Sequence, residues 1–177
     1  MYLDLPAGFE YQSVPKLEPA AFLVAQVRDW QQYDLLEGEA NLYFENTFVG
    51  KSMLNLQMIS DTLNLSLGRD MGIIVKRDKR KEFTSEKFIG PNRIVTRSWE
   101  ISLRNNKKES IKIELTDQIP VSQNKEITVD VSELSGGKMN QTTGLITWDM
   151  ELPAGQSKNL ILSYSVKYPK DKIVLIE

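Results

Sequence analysis

Apolar and polar residues alternate along most of the second half of the chain. In residues 94–105, Val95, Trp99 and Leu103 fall on one face of an extended strand, whereas Ser98 and Glu100 fall on the other. Successive side chains of a strand point to opposite faces, so the pattern predicts one buried and one solvated face. The same alternation recurs in residues 111–119, 127–131, 146–152 and 160–168.

The first half is also predicted to be β-structure, with less regular alternation. Residues 9–17 read as an edge strand, because Pro15 cannot donate to a strand ladder. Residues 20–30 are apolar on both faces, which favours a central strand covered on both sides. Residues 39–54 predict two strands joined near Glu45 and Asn46, and residues 61–77 predict two more, joined around 68–72.

These patterns predict an all-β protein, with no segment that keeps helical periodicity and helical caps together. The short strands favour a β-sandwich, with an immunoglobulin-like sandwich in the C-terminal half. The polar segment 82–93 suggests a border between a β-rich region, 1–88, and that sandwich, 89–177. One continuous larger sandwich is the alternative.

Composition excludes several kinds of site. The 177 residues include neither histidine nor cysteine, which removes the Ser-His-Asp triad, thiol nucleophiles, disulfides and most zinc sites. The net charge of −2 lacks the basic excess that nucleic acids usually need, and no apolar run reaches the roughly 18 residues of a membrane span. We therefore expect no nucleic acid partner and no membrane insertion. We also predict no enzyme activity, no cofactor and no metal site, with calcium held by scattered carboxylates as the alternative.

Three charged segments could still carry chemistry. Asp117, ahead of Pro120, could be a working carboxylate at a strand end, but a strand exit that accepts backbone hydrogen bonds is the stronger interpretation. Asp70 could contact a cation or substrate, or it could close a Gly-Asp-Gly connection. Residues 76–81 contain five basic side chains, which fit an anionic partner or, more simply, a solvated hairpin tip.

Two aromatic residues are candidates for ligand contact. Trp99 and Trp148 lie in phase with aliphatic faces, so they are predicted to pack in the core. Trp30 has polar neighbours and is expected to be exposed, together with Tyr33. Trp30, Tyr33 and Asp70 are therefore the possible ligand contacts.

The order of several motifs resembles one family. They are "W..YDLLEGEANLYFENTFVGKS" from Trp30, "LSLGRD" from Leu65, "DQIPVS" from Asp117 and "YSVKYPKD" from Tyr164. Together they resemble the C-terminal domain of unknown function of mucoidy-inhibitor-A-like proteins, from about Phe9 to Asp171. The resemblance implies an excised domain of a longer, exported bacterial protein, located in the periplasm or cell envelope, and it supplies no catalytic residue.

We therefore predict a non-catalytic structural or interaction module of a bacterial envelope protein. Its partners would be other domains of the full-length protein, other envelope proteins or surface polysaccharide. The alternative is a carbohydrate-binding module that uses Trp30, Tyr33 and the basic segment 76–81. A third hypothesis, a carboxylate-dependent hydrolase, requires two facing acidic side chains.

Overall fold

The computed structural model describes residues 3–44, 46–54 and 61–176. These ranges hold thirteen β-strands, two short 3-10 segments, Trp30–Tyr33 and Lys81–Phe83, and no α-helix. The all-β prediction is confirmed. Nothing helical in the described ranges has the length and apolarity needed to cross a bilayer.

The first sheet mixes strands from both halves of the chain. Its spatial order is β11 (Lys138–Met139), β12 (Leu145–Leu152), β9 (Ile111–Gln118), β1 (Gly8–Ser13), β2 (Phe22–Arg28) and β5 (Thr62–Arg69). Neighbouring strands are antiparallel except β1 and β9, which pair in parallel with Tyr11 opposite Ile113. The parallel pair joins the N-terminal strands to the C-terminal ones.

The second sheet is built on two long strands. Its order is β10 (Thr128–Glu133), β13 (Ser157–Pro169), β8 (Asn92–Asn105) and β6 (Ile73–Lys79), and β7 (Ser85–Ile89) pairs with the beginning of β8. The antiparallel ladder of β8 and β13 runs from Asn92 opposite Pro169 to Arg104 opposite Ser157. This long ladder forms the floor on which the first sheet packs.

A separate two-stranded hairpin consists of β3 (Gly38–Phe44) and β4 (Thr47–Leu54). The predicted strand pair in residues 39–54 is confirmed. Its turn includes Asn46, whose φ of 61° lies in the left-handed region that asparagine tolerates, while Glu45 lies outside the described residues.

The apolar faces of the two sheets pack on each other, which makes the molecule a β-sandwich. The core takes in the predicted buried residues of β8, β9, β12 and β13, among them Ile101, Leu115, Ile146 and Leu162. The immunoglobulin-like arrangement of the second half stays a prediction. Ser98 departs from the expected solvated face: it is fully buried, and its hydroxyl shares a 2.6 Å hydrogen bond with Ser163.

The prediction that residues 9–17 form an edge strand is wrong. β1 lies inside the first sheet, between β9 and β2. Pro15 does not prevent this position because β1 ends at Ser13. The strand predicted to be central, β2, does lie between two neighbours, β1 and β5.

Strands on both sides of the proposed border at residue 88 share both sheets. β1, β2 and β5 complete the first sheet beside β9, and β6 completes the second sheet beside β8. Backbone ladders between the two halves therefore lie at β1–β9 and at β6–β8. This arrangement favours the alternative of one continuous sandwich.

Candidate functional site

Asp117 is buried between the two sheets and bonded to a cation on the opposite sheet. Its carboxylate accepts hydrogen bonds from Arg77 Nε at 2.7 Å and Arg77 Nη2 at 3.2 Å. It also accepts one from the backbone N–H of Gln118 at 2.7 Å. The backbone bond agrees with the sequence prediction, but Asp117 lies within β9, and its main role is a cross-sheet ion pair.

Arg77 is not part of a solvated tip, so that interpretation of residues 76–81 is wrong for this residue. Its side chain is only 11% exposed, and its guanidinium lies 3.8 Å from the ring centroid of Trp99. Arg80 stacks on Phe83 at the same distance, 3.8 Å. Lys79 Nζ also lies 5.8 Å from the Trp99 centroid. Aromatic rings therefore contact three of the five cations that were candidates for an anionic partner, and a buried carboxylate binds one of these three.

Asp70 closes the connection between β5 and β6, as the turn interpretation predicted. Its Oδ1 accepts a hydrogen bond from the backbone N–H of Gly72 at 2.7 Å. Its Oδ2 accepts one from the hydroxyl of Tyr11 at 2.7 Å and one from Nζ of Lys107 at 3.0 Å. Lys107 Nζ also donates to the Tyr11 hydroxyl at 2.6 Å. The trio joins β1 to the loops before β6 and after β8.

The electrostatics of this trio favour the charged forms of Asp70 and Lys107. Burial alone would raise the pKa of Asp70, but hydrogen bonds from Tyr11, Gly72 and Lys107 hold that pKa below its ordinary value. Burial opposes the charge of Lys107 too, yet its bonds to Tyr11 and Asp70 raise its pKa. Both charges are satisfied within the trio, an arrangement typical of a structural tie.

Three carboxylates that the sequence analysis did not single out meet on the first sheet. Glu10, Glu114 and Asp149 lie on β1, β9 and β12, and their oxygens come within 4.8 Å of one another. Burial raises the pKa of Glu114, and the charges of Glu10 and Asp149 raise it further. Gln26 donates to Glu10 at 2.9 Å. Local strand patterns do not show which strands are neighbours, so no sequence pattern predicts this group.

The expected exposure of Trp30 is wrong. Trp30 is only 8% exposed and belongs to a small second core with Ala25, Val27, Leu63 and Leu65. The backbone enters and leaves its 3-10 segment in the left-handed conformation, at Asp29 and Asp34. Tyr33 is half-buried against the same core. A flat stacking platform of Trp30 and Tyr33 for sugar rings is therefore not formed, and Asp70 lies in the separate trio.

The hairpin and the first sheet enclose an open apolar cavity of about 680 Å³, called the hairpin trough below. Its walls come from β3, from the end of β4, from β2 and β5, and from the chain before β1. The side chains are mostly aliphatic, including Leu5, Val27, Leu42, Leu54 and Leu65. Its volume falls within the range of about 300 to 1,000 Å³ that ligand pockets occupy.

Charged residues at the trough are all acidic within the described part of the chain. Asp4, Glu37 and Glu39 line it, and no lysine or arginine does. Glu39 is bonded to Lys51 at 2.8 Å. Asp4 and Glu37 therefore give the mouth of the trough a negative charge beside an apolar floor.

A second open cavity, of about 540 Å³, lies where the "DQIPVS" motif leaves β9. Ile119, Pro120 and Val121 line one side, and Leu175 with Ile176 line the other. Ile119 is buried in the main core, so this motif serves the fold and also borders a surface cavity.

The two packed sheets make this chain an all-β sandwich domain. Residues 3–170 match the family described as "Domain of unknown function (DUF4139)", and the chain belongs to that family. It is also similar to "Protein F37C4.5" of Caenorhabditis elegans, with 24% identity over 182 residues that cover 93% of this chain and 32% of the nematode protein. The chain spans about a third of the length of that curated relative.

Proposed function

We propose that this chain is a non-catalytic interaction module that binds a partner through the hairpin trough. In bacterial proteins with the motif order described above, the partner would be another domain of the same protein or another envelope protein. The envelope setting rests on that resemblance alone, and recovery of the full-length protein from the cytoplasmic fraction would contradict it.

One contrast carries the proposal. Three of the buried or half-buried charges, Asp117, Asp70 and Lys107, are bonded to one another or to Arg77 and Tyr11, so each of the three already has a structural task. The hairpin trough, in contrast, leaves Leu35, Leu42 and Leu54 only half-buried. When a partner covers apolar side chains around an open cavity, their removal from water lowers the free energy and favours binding.

A neutral apolar dye tests whether the trough binds. Nile red added to the purified chain is expected to gain fluorescence. Ala40 lies on β3 in the trough, so Ala40→Trp is expected to fill the cavity and reduce the dye signal. The matched control is Ala154→Trp, because Ala154 is exposed in a turn outside the trough.

The same samples are incubated with ester, glycoside and peptide substrates. The proposal expects no turnover above the buffer rate. Turnover that disappears in Asp70→Asn or Glu114→Gln would overturn it, as would a dye signal that Ala40→Trp leaves unchanged while circular dichroism shows a folded variant.

A further inference from the structure

The hairpin trough runs along one edge of β3. All seven residues of β3, Gly38–Phe44, line the cavity. Of the described residues of β4, only Leu54 lines the cavity, so the cavity follows β3 on the side away from β4. Within the described ranges, β3 pairs with β4 alone.

An unpaired strand edge is a template for another strand. Its N–H and C=O groups offer hydrogen bonds to any extended backbone that lies beside it. Gly38, Ala40 and Leu42 are half-buried, while Glu39 and Asn41 are exposed. A strand added beside Gly38–Leu42 would place every second side chain over the apolar floor of Val27, Leu63 and Leu65.

The charge of the trough selects among extended segments. Asp4 and Glu37 at the mouth repel an acidic segment and attract a basic one. The apolar floor requires apolar side chains at alternate positions. We infer that the trough takes an extended peptide strand in which apolar residues alternate with lysine or arginine, added to the edge of β3 at Gly38–Leu42.

This inference rests on the proposed function and specifies the partner of the same site. The probe is a synthetic peptide about seven residues long, with lysine at odd and valine at even positions, and binding is measured by isothermal titration calorimetry. Comparison peptides contain the same residues without alternation, glutamate in place of lysine, or methyl groups on alternate backbone nitrogens.

The alternating basic peptide is expected to bind at least about ten-fold more tightly than each comparison peptide. The non-alternating peptide loses apolar contacts, the glutamate peptide meets like charge, and the methylated peptide loses backbone hydrogen bonds. Each comparison therefore tests one component of the site.

Two protein variants place the binding in the trough. Ala40→Trp is expected to abolish peptide binding by filling the cavity. Glu37→Lys is a surface change that keeps the cavity. It is expected to lower the affinity for the basic peptide about five-fold or more at low salt. The matched control is Asp130→Lys, because Asp130 is exposed on β10 of the other sheet.

The outcomes separate the two proposals. Nile red binding that is lost in Ala40→Trp, together with equal affinity for all four peptides, would overturn the strand inference and leave the interaction module standing. Equal affinity for the methylated and unmethylated peptides would show that the trough binds the peptide through apolar contacts without backbone hydrogen bonds. That result would also overturn the inference. Absence of both dye and peptide binding would overturn both.

Discussion

The sandwich core and the hairpin trough are both apolar, but only the core is closed. Between the sheets, Ile101, Leu115 and Leu162 are completely covered. In the trough, Leu42 and Leu54 are only half-buried. The closed core can therefore stabilise the fold, whereas the open trough presents an apolar surface to a partner. Variants in the two regions should therefore change different measurements.

The largest loss of stability is expected from Asp117→Ala. It leaves the buried guanidinium of Arg77 without its carboxylate, which typically costs about 3 to 5 kcal/mol. Urea unfolding followed by circular dichroism measures the loss. A double variant, Arg77→Met with Asp117→Leu, is the control, and it should recover most of the stability because no unpaired charge remains. A loss below about 1 kcal/mol in the single variant would show that the pair is not buried as described.

A matched pair of leucine truncations compares the regions directly. Leu162→Ala should cost about 2 to 5 kcal/mol, because it opens a cavity in a closed core. Leu42→Ala should cost about 1 kcal/mol or less, because that side chain is only half-buried. Nile red binding should change in the opposite order, falling for Leu42→Ala and persisting for folded Leu162→Ala. Equal losses of stability would break the distinction between the two regions.

The smallest expected effect, and one that depends on pH, belongs to Asp70→Asn. Near neutral pH the variant should lose about 1 kcal/mol, because the bonds from Tyr11 and Lys107 are weakened. The folded pKa of Asp70 lies below the unfolded value of 3.8. Its stabilising contribution is therefore complete above about pH 5 and disappears as the pH falls through the folded pKa.

Unfolding measured at several pH values checks this dependence. The stability gap between the wild type and Asp70→Asn should stay constant above about pH 5 and narrow in acid. Dye binding should be unaffected, since Asp70 does not line the trough. A gap that widens in acid would contradict the assigned direction of the pKa shift.

Local alternation predicted most strands but not their neighbours. It placed Ile111, Ile113 and Leu115 correctly because burial of one face imposes a two-residue period. It could not show that β1 lies beside β9, since nothing in either segment encodes a partner about a hundred residues away. The edge position assigned to residues 9–17 was wrong for that reason.

The polar residues were predicted less well than the apolar ones. Arg77 lies in a run of cations that reads as solvated. Burial of its charge is possible only because β9, on the opposite sheet, supplies the carboxylate of Asp117. Trp30 has polar sequence neighbours, yet its indole is turned into the small core beneath the hairpin. Predicting the trough requires knowing how the hairpin lies on the first sheet, and no local sequence pattern contains that information.

The parallel pairing of β1 with β9 also has a consequence for how the chain folds. During synthesis the first strands emerge long before Ile113, so the first sheet cannot be completed until most of the chain is available. Pairing strands so far apart in the sequence has the entropic cost of closing a long loop. This cost slows folding to the range of about milliseconds to seconds. The edge of β1 that meets β9 therefore stays unpaired in the nascent chain until β9 has been synthesised.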